Sequence, residues 1–356
     1  AIIASGWRSI VVSKGGILVD ALEKNGAKHL EINIGAKNPF TWPKSLKKLK
    51  RLISEYNVDV VHARSRMPAW ICKYAAQQCG VPFITTFHGR YGDTNALKKI
   101  YNSIMTQGEF VIAISKFIAD DIQSRYRVGD DTLKIIPRGA DISLFNPDDA
   151  SQQAANRLIE EWGVPDDTPV VMLPARLTRW KGHEILIEAL SLIKDIRFFC
   201  VLVGDHDTKK NYRSELENII KYQGLKNKVK ITGHCKDMVS AYKISDIVIS
   251  ASLDPEPFGR ITVEAQAMSC LVVAADHGGA RETIQHNRTG ILVEPRNSEA
   301  LADGIKKALE MKTEDRTSMG IAARKFVSGN FSRETMCYRT MSLYCQLLDL
   351  NPQLNS

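Results

Sequence analysis

Two acids with seven residues between them, Glu256 and Glu264, frame the stretch Glu256-Pro257-Phe258-Gly259-Arg260-Ile261-Thr262-Val263-Glu264. The apolar run 247–251 ahead of it reads as a buried strand. Pro255 and Pro257 keep a helix from starting early, and Phe258-Gly259 opens one that continues to Ser269. Strand, proline loop and helix start together present free backbone N–H groups at a strand's carboxyl end, where phosphorylated ligands sit in open α/β sheets. A carboxylate accepts two hydrogen bonds from a vicinal diol, so two acids suit a ligand carrying two sugar rings. Arg176 and Lys181 follow a second apolar run, 169–175, and precede a helix start at Gly182. Two cations there suit a diphosphate, each charge-assisted hydrogen bond being worth roughly 1.5–3 kcal/mol.

Single residues elsewhere carry weaker signals. His88 closes the strand that ends Thr85-Thr86-Phe87, and Gly89 after it allows close backbone approach. His62 also ends a strand, and with Arg64 and Arg66 it forms a basic patch. The triplet Asp205-His206-Asp207 has a D-x-D spacing that can hold a divalent metal beside a diphosphate. Here Arg176 and Lys181 already neutralise phosphate, so no metal is expected.

The Glu256–Glu264 stretch, in the form E-P-F-G-x-x-x-x-E, resembles the signature of the retaining glycosyltransferases of family 4, which have the GT-B fold. The resemblance implies that Glu256 touches the transferred sugar and that Glu264 holds the nucleotide ribose, with Phe258 and Gly259 in the same donor loop. Arg176-x-x-x-x-Lys181-Gly182 matches the element whose two cations hold the donor phosphates and stabilise the leaving group. His88-Gly89 resembles the family's H-G element beside the reacting carbon. Gly233-His234 resembles the turn that packs on the base. Gly278-Gly279 with Glu282 matches a G-G-x-x-E loop beside the donor, although Glu282 equally suits a helix cap. Arg138-Gly139-Ala140-Asp141 is similar to an interdomain segment that usually has Val where this chain has Ala140.

On this footing the catalytic set is Glu256, His88, Arg176 and Lys181. The donor set is Arg176, Lys181, Gly233, His234, Glu256, Phe258, Gly259 and Glu264, and the acceptor side is His62, Arg64 and Arg66. The resemblance implies transfer of a sugar from a nucleotide-diphosphate donor with retention of the anomeric configuration, and no cofactor beyond the donor. Two rivals stand beside it: a nucleotide-sugar epimerase of the same plan, and a non-catalytic sugar-nucleotide binder. The stretch 64–70, Arg-Ser-Arg-Met-Pro-Ala-Trp, resembles bacterial envelope transferases acting on lipopolysaccharide core. It implies a lipid-linked or core-glycan acceptor and GDP-mannose or a UDP-sugar as donor.

The elements that must position these residues follow from alternation. With 356 residues the chain is long enough for two domains. Val/Ile-rich strands near 8–13, 28–34, 58–62, 82–87, 109–115 and 133–137 alternate with helices, which argues a parallel sheet covered on both faces. A second such series starts at 169–175. The expected architecture is α/β: two facing Rossmann-like domains with a cleft between them, 1–147 for acceptor and 148–331 for donor. The helical tail 332–356 is expected to pack back on the first domain. Residues 1–5 read as the tail of a helix, so an initial strand and glycine loop are expected to lie outside this sequence, which leaves Gly15-Gly16 a plain turn.

A net charge of +8 fits anionic partners or serves solubility alone. No nucleic-acid module appears. Helix 44–56 places Leu46, Leu49, Ile53 and Tyr56 on one face and Lys44, Lys47, Lys48, Lys50 and Arg51 on the rest. That pattern fits a sheet cover, a membrane-surface element, or both. Seven cysteines without C-x-x-C spacing read as free thiols of a reducing compartment. The expected location is cytoplasmic, peripheral on the inner face of the cytoplasmic membrane.

Overall fold

The computed structural model describes residues 1–36, 38–205 and 210–350. The chain divides into two compact units, Ala1–Pro137 together with Glu334–Ser356, and Arg138–Arg333.

In the first unit the chain runs β1 (Ile10–Ser13), α1 (Val19–Lys24), β2 (Lys28–Glu31), α2 (Trp42–Glu55), β3 (Val61–Ala63), α3 (Arg66–Cys79), β4 (Phe83–Phe87), α4 (Ala96–Ser103), β5 (Phe110–Ala113), α5 (Lys116–Tyr126) and β6 (Leu133–Ile135). All the pairings are parallel. The expectation of one covered sheet needs correction, because β1 and β2 form a pair of their own while β3 to β6 form a separate sheet. The burial pattern differs in the same way. Every residue of β4 is buried, whereas β1 is half-buried throughout and β2 has exposed ends. Local chemistry sets the helix ends: Ser115 caps α5 through Ile118 N at 3.1 Å, and Gly80 at φ +68° stops α3.

The second unit holds α6 (Gln152–Trp162), β7 (Val170–Pro174), α7 (His183–Leu192), β8 (Phe199–Val203), α8 (Lys210–Tyr222), β9 (Val229–Gly233), α9 (Met238–Lys243), β10 (Ile247–Ser250), α10 (Arg260–Ala267), β11 (Leu271–Ala275), α11 (Ala280–Thr283), β12 (Ile291–Val293), α12 (Ser298–Leu309) and α13 (Thr313–Asn330). Its six parallel strands lie in the order β12-β11-β10-β7-β8-β9. β7, β8, β10 and β11 are buried at every position, which is why they read as apolar runs without polar alternation. Their side chains meet Leu186, Leu190, Leu216, Leu301 and Ile305 of the covering helices in one core. The strand order reverses between β7 and β10, so the crevice outside those two carboxyl ends is the expected ligand position.

α14 (Arg333–Leu347) returns the chain to the first unit, where Leu343 joins Ile84, Ile112 and Ile136 in a small core. Among the described residues no helix is long and apolar enough to cross a membrane. The seven cysteines are free, with Cys72, Cys200, Cys270 and Cys345 buried.

Candidate active site

The loops leaving β7, β10 and β11 are locked together by backbone, and the locking requires glycine. After β7 the chain makes a short turn, Arg179–Lys181, and ends it at Gly182 with φ +75°. A β-carbon at Gly182 would lie 1.8 Å from the Ala251 carbonyl, so only glycine lets this loop seat on the end of β10. Leu253 N then donates to Trp180 O at 2.7 Å. From the other side Gly279 N donates to Glu256 O at 2.8 Å. A β-carbon on Gly278, at φ +57°, would come within 2.5 Å of that same oxygen.

Inside this frame Lys181 Nζ meets Glu256 Oε1 at 2.6 Å, with the two side chains only 11% and 14% exposed. The ammonium also lies 4.2 Å from the centre of the Trp180 ring. Ser252 Oγ donates to the same carboxylate oxygen, and His277 Nε2 is 2.9 Å from Ser252 O. Arg176 is exposed on the loop from β7. Arg179 points its charge elsewhere, to Glu184 at 2.8 Å and to Glu215.

Helix α10 starts at Gly259, φ +85°, with Phe258 buried edge-to-face against Phe331. Five residues on from Gly259, Glu264 is 7% exposed and has both carboxylate oxygens engaged. Oε1 accepts from Arg260 Nε at 2.5 Å, and Oε2 accepts from the Tyr242 hydroxyl at 3.2 Å. These two partners differ in kind. The Arg260 side chain is 72% exposed, so water screens its charge. Tyr242 is buried, and burial, with the Glu264 charge adding, raises its phenol well above the ordinary value. The hydroxyl therefore stays protonated and keeps donating.

Gly233 ends β9 at φ +82° and its carbonyl accepts from Gly204 N at 2.8 Å, while His234 is exposed. Glu282 is half-buried in the short helix α11. Asp205 is exposed; His206 and Asp207, the rest of the D-x-D triplet, lie outside the described residues. The structure thus brings Lys181, Glu256 and the Gly278-Gly279 turn into contact and places Glu264 on the adjoining helix. Sequence reasoning missed Ser252, His277, Tyr242 and Arg260. Of these only Arg260 had a signal, its i,i+4 spacing to Glu264 on a helix.

The first-unit residues sit apart from this description. His88 follows β4 and contributes to the field at His62. His62, in β3, has both ring nitrogens engaged: Nδ1 is 2.6 Å from the Tyr344 hydroxyl and Nε2 is 2.7 Å from Thr86 Oγ1. Burial pushes its pKa down to about 3, with Arg64 and His88 adding to the shift. It is a neutral histidine tying α14 to the sheet, with no ring nitrogen left for a ligand. Arg66 is likewise held, its guanidinium 4.4 Å from the Tyr91 ring centre and its Nη1 donating to Asn102 at 2.8 Å. Arg64 is exposed.

Comparison with known proteins gives this geometry a family. Residues 2–144 match the model of Glycosyltransferase Family 4, and residues 155–326 match that of Glycosyl transferases group 1. A glycosyltransferase from Rickettsia africae ESF-5 has 39% sequence identity and a TM-score of 0.93, covering 98% of this chain and 93% of its own. HepE of Anabaena, solved with UDP-glucose, has 25% identity and a TM-score of 0.81 over 95% of this chain and 91% of that one. A GDP-mannose-dependent alpha-(1-6)-phosphatidylinositol monomannoside mannosyltransferase of Mycobacterium tuberculosis H37Rv is 24% identical over 81% of this chain and 76% of its own length. The chain belongs to the group 1 glycosyltransferases, enzymes of the GT-B fold with two Rossmann-like domains.

Proposed function

We infer that this enzyme transfers a sugar from a nucleotide-diphosphate sugar to a hydroxyl of a lipid-linked or cell-envelope glycan, with retention of configuration. The observation that carries the reading is the Lys181–Glu256 pair at 2.6 Å, set at the point where the strand order reverses. The ammonium there is nine-tenths enclosed, and the reversal of strand order is where phosphorylated ligands sit in open α/β sheets. In this reading Lys181 and Arg176 neutralise the pyrophosphate and stabilise it as it leaves. Glu256, steadied by Ser252 and Lys181, orients the transferred sugar, and Glu264 accepts from the ribose diol. Gly233 and His234 flank the base, and Phe258 and Gly259 fix the helix start beside the phosphates. In the first unit, considered by itself, His88 and Arg64 are the residues proposed for the sugar and acceptor sides.

With no nucleophile assigned, catalysis comes from positioning and charge stabilisation, the departing phosphate taking the acceptor's proton as the new glycosidic bond forms on the same face. HepE was solved with UDP-glucose and the mycobacterial relative is named for GDP-mannose, so both bases belong in the donor panel. The test is incubation with labelled UDP- and GDP-sugars and a bacterial envelope lipid extract. Transfer to lipid, with the product's anomeric coupling matching that of the donor, supports the reading. Isomerised donor without transfer, or an inverted product, overturns it.

A further inference from the structure

Helix α4 is folded inside out. Leu97, Ile100 and Tyr101 have the i, i+3, i+4 spacing of a core-facing stripe, yet the only buried residue in the helix is a polar one, Asn102. Residues 94–100 are all solvent-exposed, Leu97 and Ile100 at 78% and 60%. Polar bonds hold the helix in this pose. Asn102 accepts from Arg66 Nη1 at 2.8 Å and donates to Gly92 O at 3.1 Å. Trp70 of α3 donates to Tyr101 O at 3.2 Å, and Asn95 caps the start through Lys98 N at 2.8 Å. A helix pinned by its polar side displays two aliphatic tips to water.

The surroundings say what should cover them. Lys98 and Lys99 lie between the tips, and both are exposed. Trp70 stacks on Tyr74, ring centres 6.4 Å apart, and Tyr74 is 46% exposed beside Lys73. From 60 to 108 the sequence holds six Lys or Arg (Arg64, Arg66, Lys73, Arg90, Lys98, Lys99) and one acid, Asp93. Arg90 is paired with Asp121 at 2.8 Å and Arg66 is held by Asn102, which leaves Lys98 and Lys99 as the cations of α4 itself. Asp93 is already paired, to Arg125 at 2.9 Å. Aliphatic tips, a tryptophan–tyrosine rim and unopposed lysines match a bilayer with anionic headgroups, which offers hydrocarbon and negative charge on one face.

We propose that α4 and the adjoining face of α3 are the surface by which this enzyme docks on an anionic lipid bilayer, Leu97 and Ile100 entering the acyl boundary and Lys98 and Lys99 meeting the headgroups. The proposal deepens the lipid-linked acceptor of the preceding reading. Its test is vesicle partition, which reports nothing about transfer, so either can fail without the other.

The experiment is co-sedimentation of the full chain with vesicles of phosphatidylcholine, with and without phosphatidylglycerol. Partition is expected onto the anionic vesicles and is expected to weaken at high salt. Leu97→Asp with Ile100→Asp should reduce it about tenfold or more, and Lys98→Gln with Lys99→Gln several-fold. Melting temperatures should hold in both variants because the side chains contact solvent. The proposal is overturned if the protein ignores anionic vesicles, or if both double variants partition like the parent. It is also overturned if the aspartates abolish a dimer in sedimentation velocity while leaving partition intact.

Discussion

The two units treat their loops in opposite ways. In the second, the turns after β7, β10 and β11 touch backbone to backbone, with glycines where a β-carbon would strike a carbonyl. Their charged groups close on one another, Lys181 on Glu256 and Arg260 on Glu264. In the first, Gly15 and Gly16 at φ +93° and +141° have no heavy atom within 4 Å of a would-be β-carbon, the sheet is in two pieces, and apolar side chains stand in water on α4. A site that must grip one rigid, doubly charged ligand gains from being set before the ligand arrives. A surface with the proposed task of meeting a fluid bilayer gains little from such locking.

Backbone substitution should separate them most. Gly182→Ala puts a methyl 1.8 Å from Ala251 O at a positive φ, and we expect a loss above about 4 kcal/mol, seen as failure to fold or collapse of the melting temperature. Gly15→Ala meets only the left-handed backbone penalty, about 1–2 kcal/mol. Equal losses would erase the contrast.

Next in size is the enclosed pair. Lys181→Met leaves the Glu256 carboxylate without its cation and, on the proposed reading, the donor phosphates with Arg176 alone as counter-charge. Turnover with saturating donor should fall about 100-fold or more. Arg179→Gln, two residues away, removes an exposed charge already spent on Glu184 and Glu215, and its kinetics should stay within about twofold of the parent. A comparable loss in both variants would mean that charge on this loop acts at long range and not through the pair.

Acid should affect both units, over different windows. His62 has its pKa pushed down to about 3 and the fully buried His183 to about 4, each chiefly by burial. The unfolded chain takes up these protons near pH 6.5, before the folded one does, so each histidine weakens its unit as pH falls from there. The slope is about 1.4 kcal/mol per pH unit for each, ending near pH 4 for His183 and near pH 3 for His62. His62→Gln should flatten the acid branch of first-unit stability, followed by hydrogen exchange in β4, and leave β8 unchanged. An unaltered slope at β4 would place the acid sensitivity elsewhere.

How much was legible follows the same divide. The pairing of Glu256 with Lys181 could be anticipated because each follows an apolar run, and a parallel sheet puts all strand ends on one edge. The division of labour around Glu264 could not. Tyr242 is 22 residues upstream of it in sequence, and only the tertiary fold delivers its hydroxyl to the carboxylate. His62 misled for a related reason: a histidine at a strand end looks free until Tyr344, 282 residues later, arrives on α14. The separation of β1 and β2 from β3 to β6 was invisible too, since hydropathy marks strands and not their neighbours. The outward stripe of α4 is the sharpest case, because its spacing reads as core and only the hydrogen bonds of Asn102 reverse it.

The smallest expected effect tests the least legible residue. Tyr242→Phe keeps the buried ring, including its edge-to-face contact with Phe145 at 5.8 Å, and removes only the donor to Glu264 Oε2. A net hydrogen bond of about 1 kcal/mol corresponds to roughly a fivefold change in binding. If Tyr242 acts by aiming the carboxylate at a ribose diol, the loss should fall on ribonucleotides and spare 2′,3′-dideoxy analogues, narrowing the affinity ratio by about that factor in calorimetry. A purely structural tyrosine would weaken both ligands alike and leave the ratio unmoved. Glu264→Gln supplies the control. If it leaves the ratio intact, Glu264 does not read the ribose; if it collapses the ratio while Tyr242→Phe does not, the carboxylate is aimed by α10 and Arg260 alone.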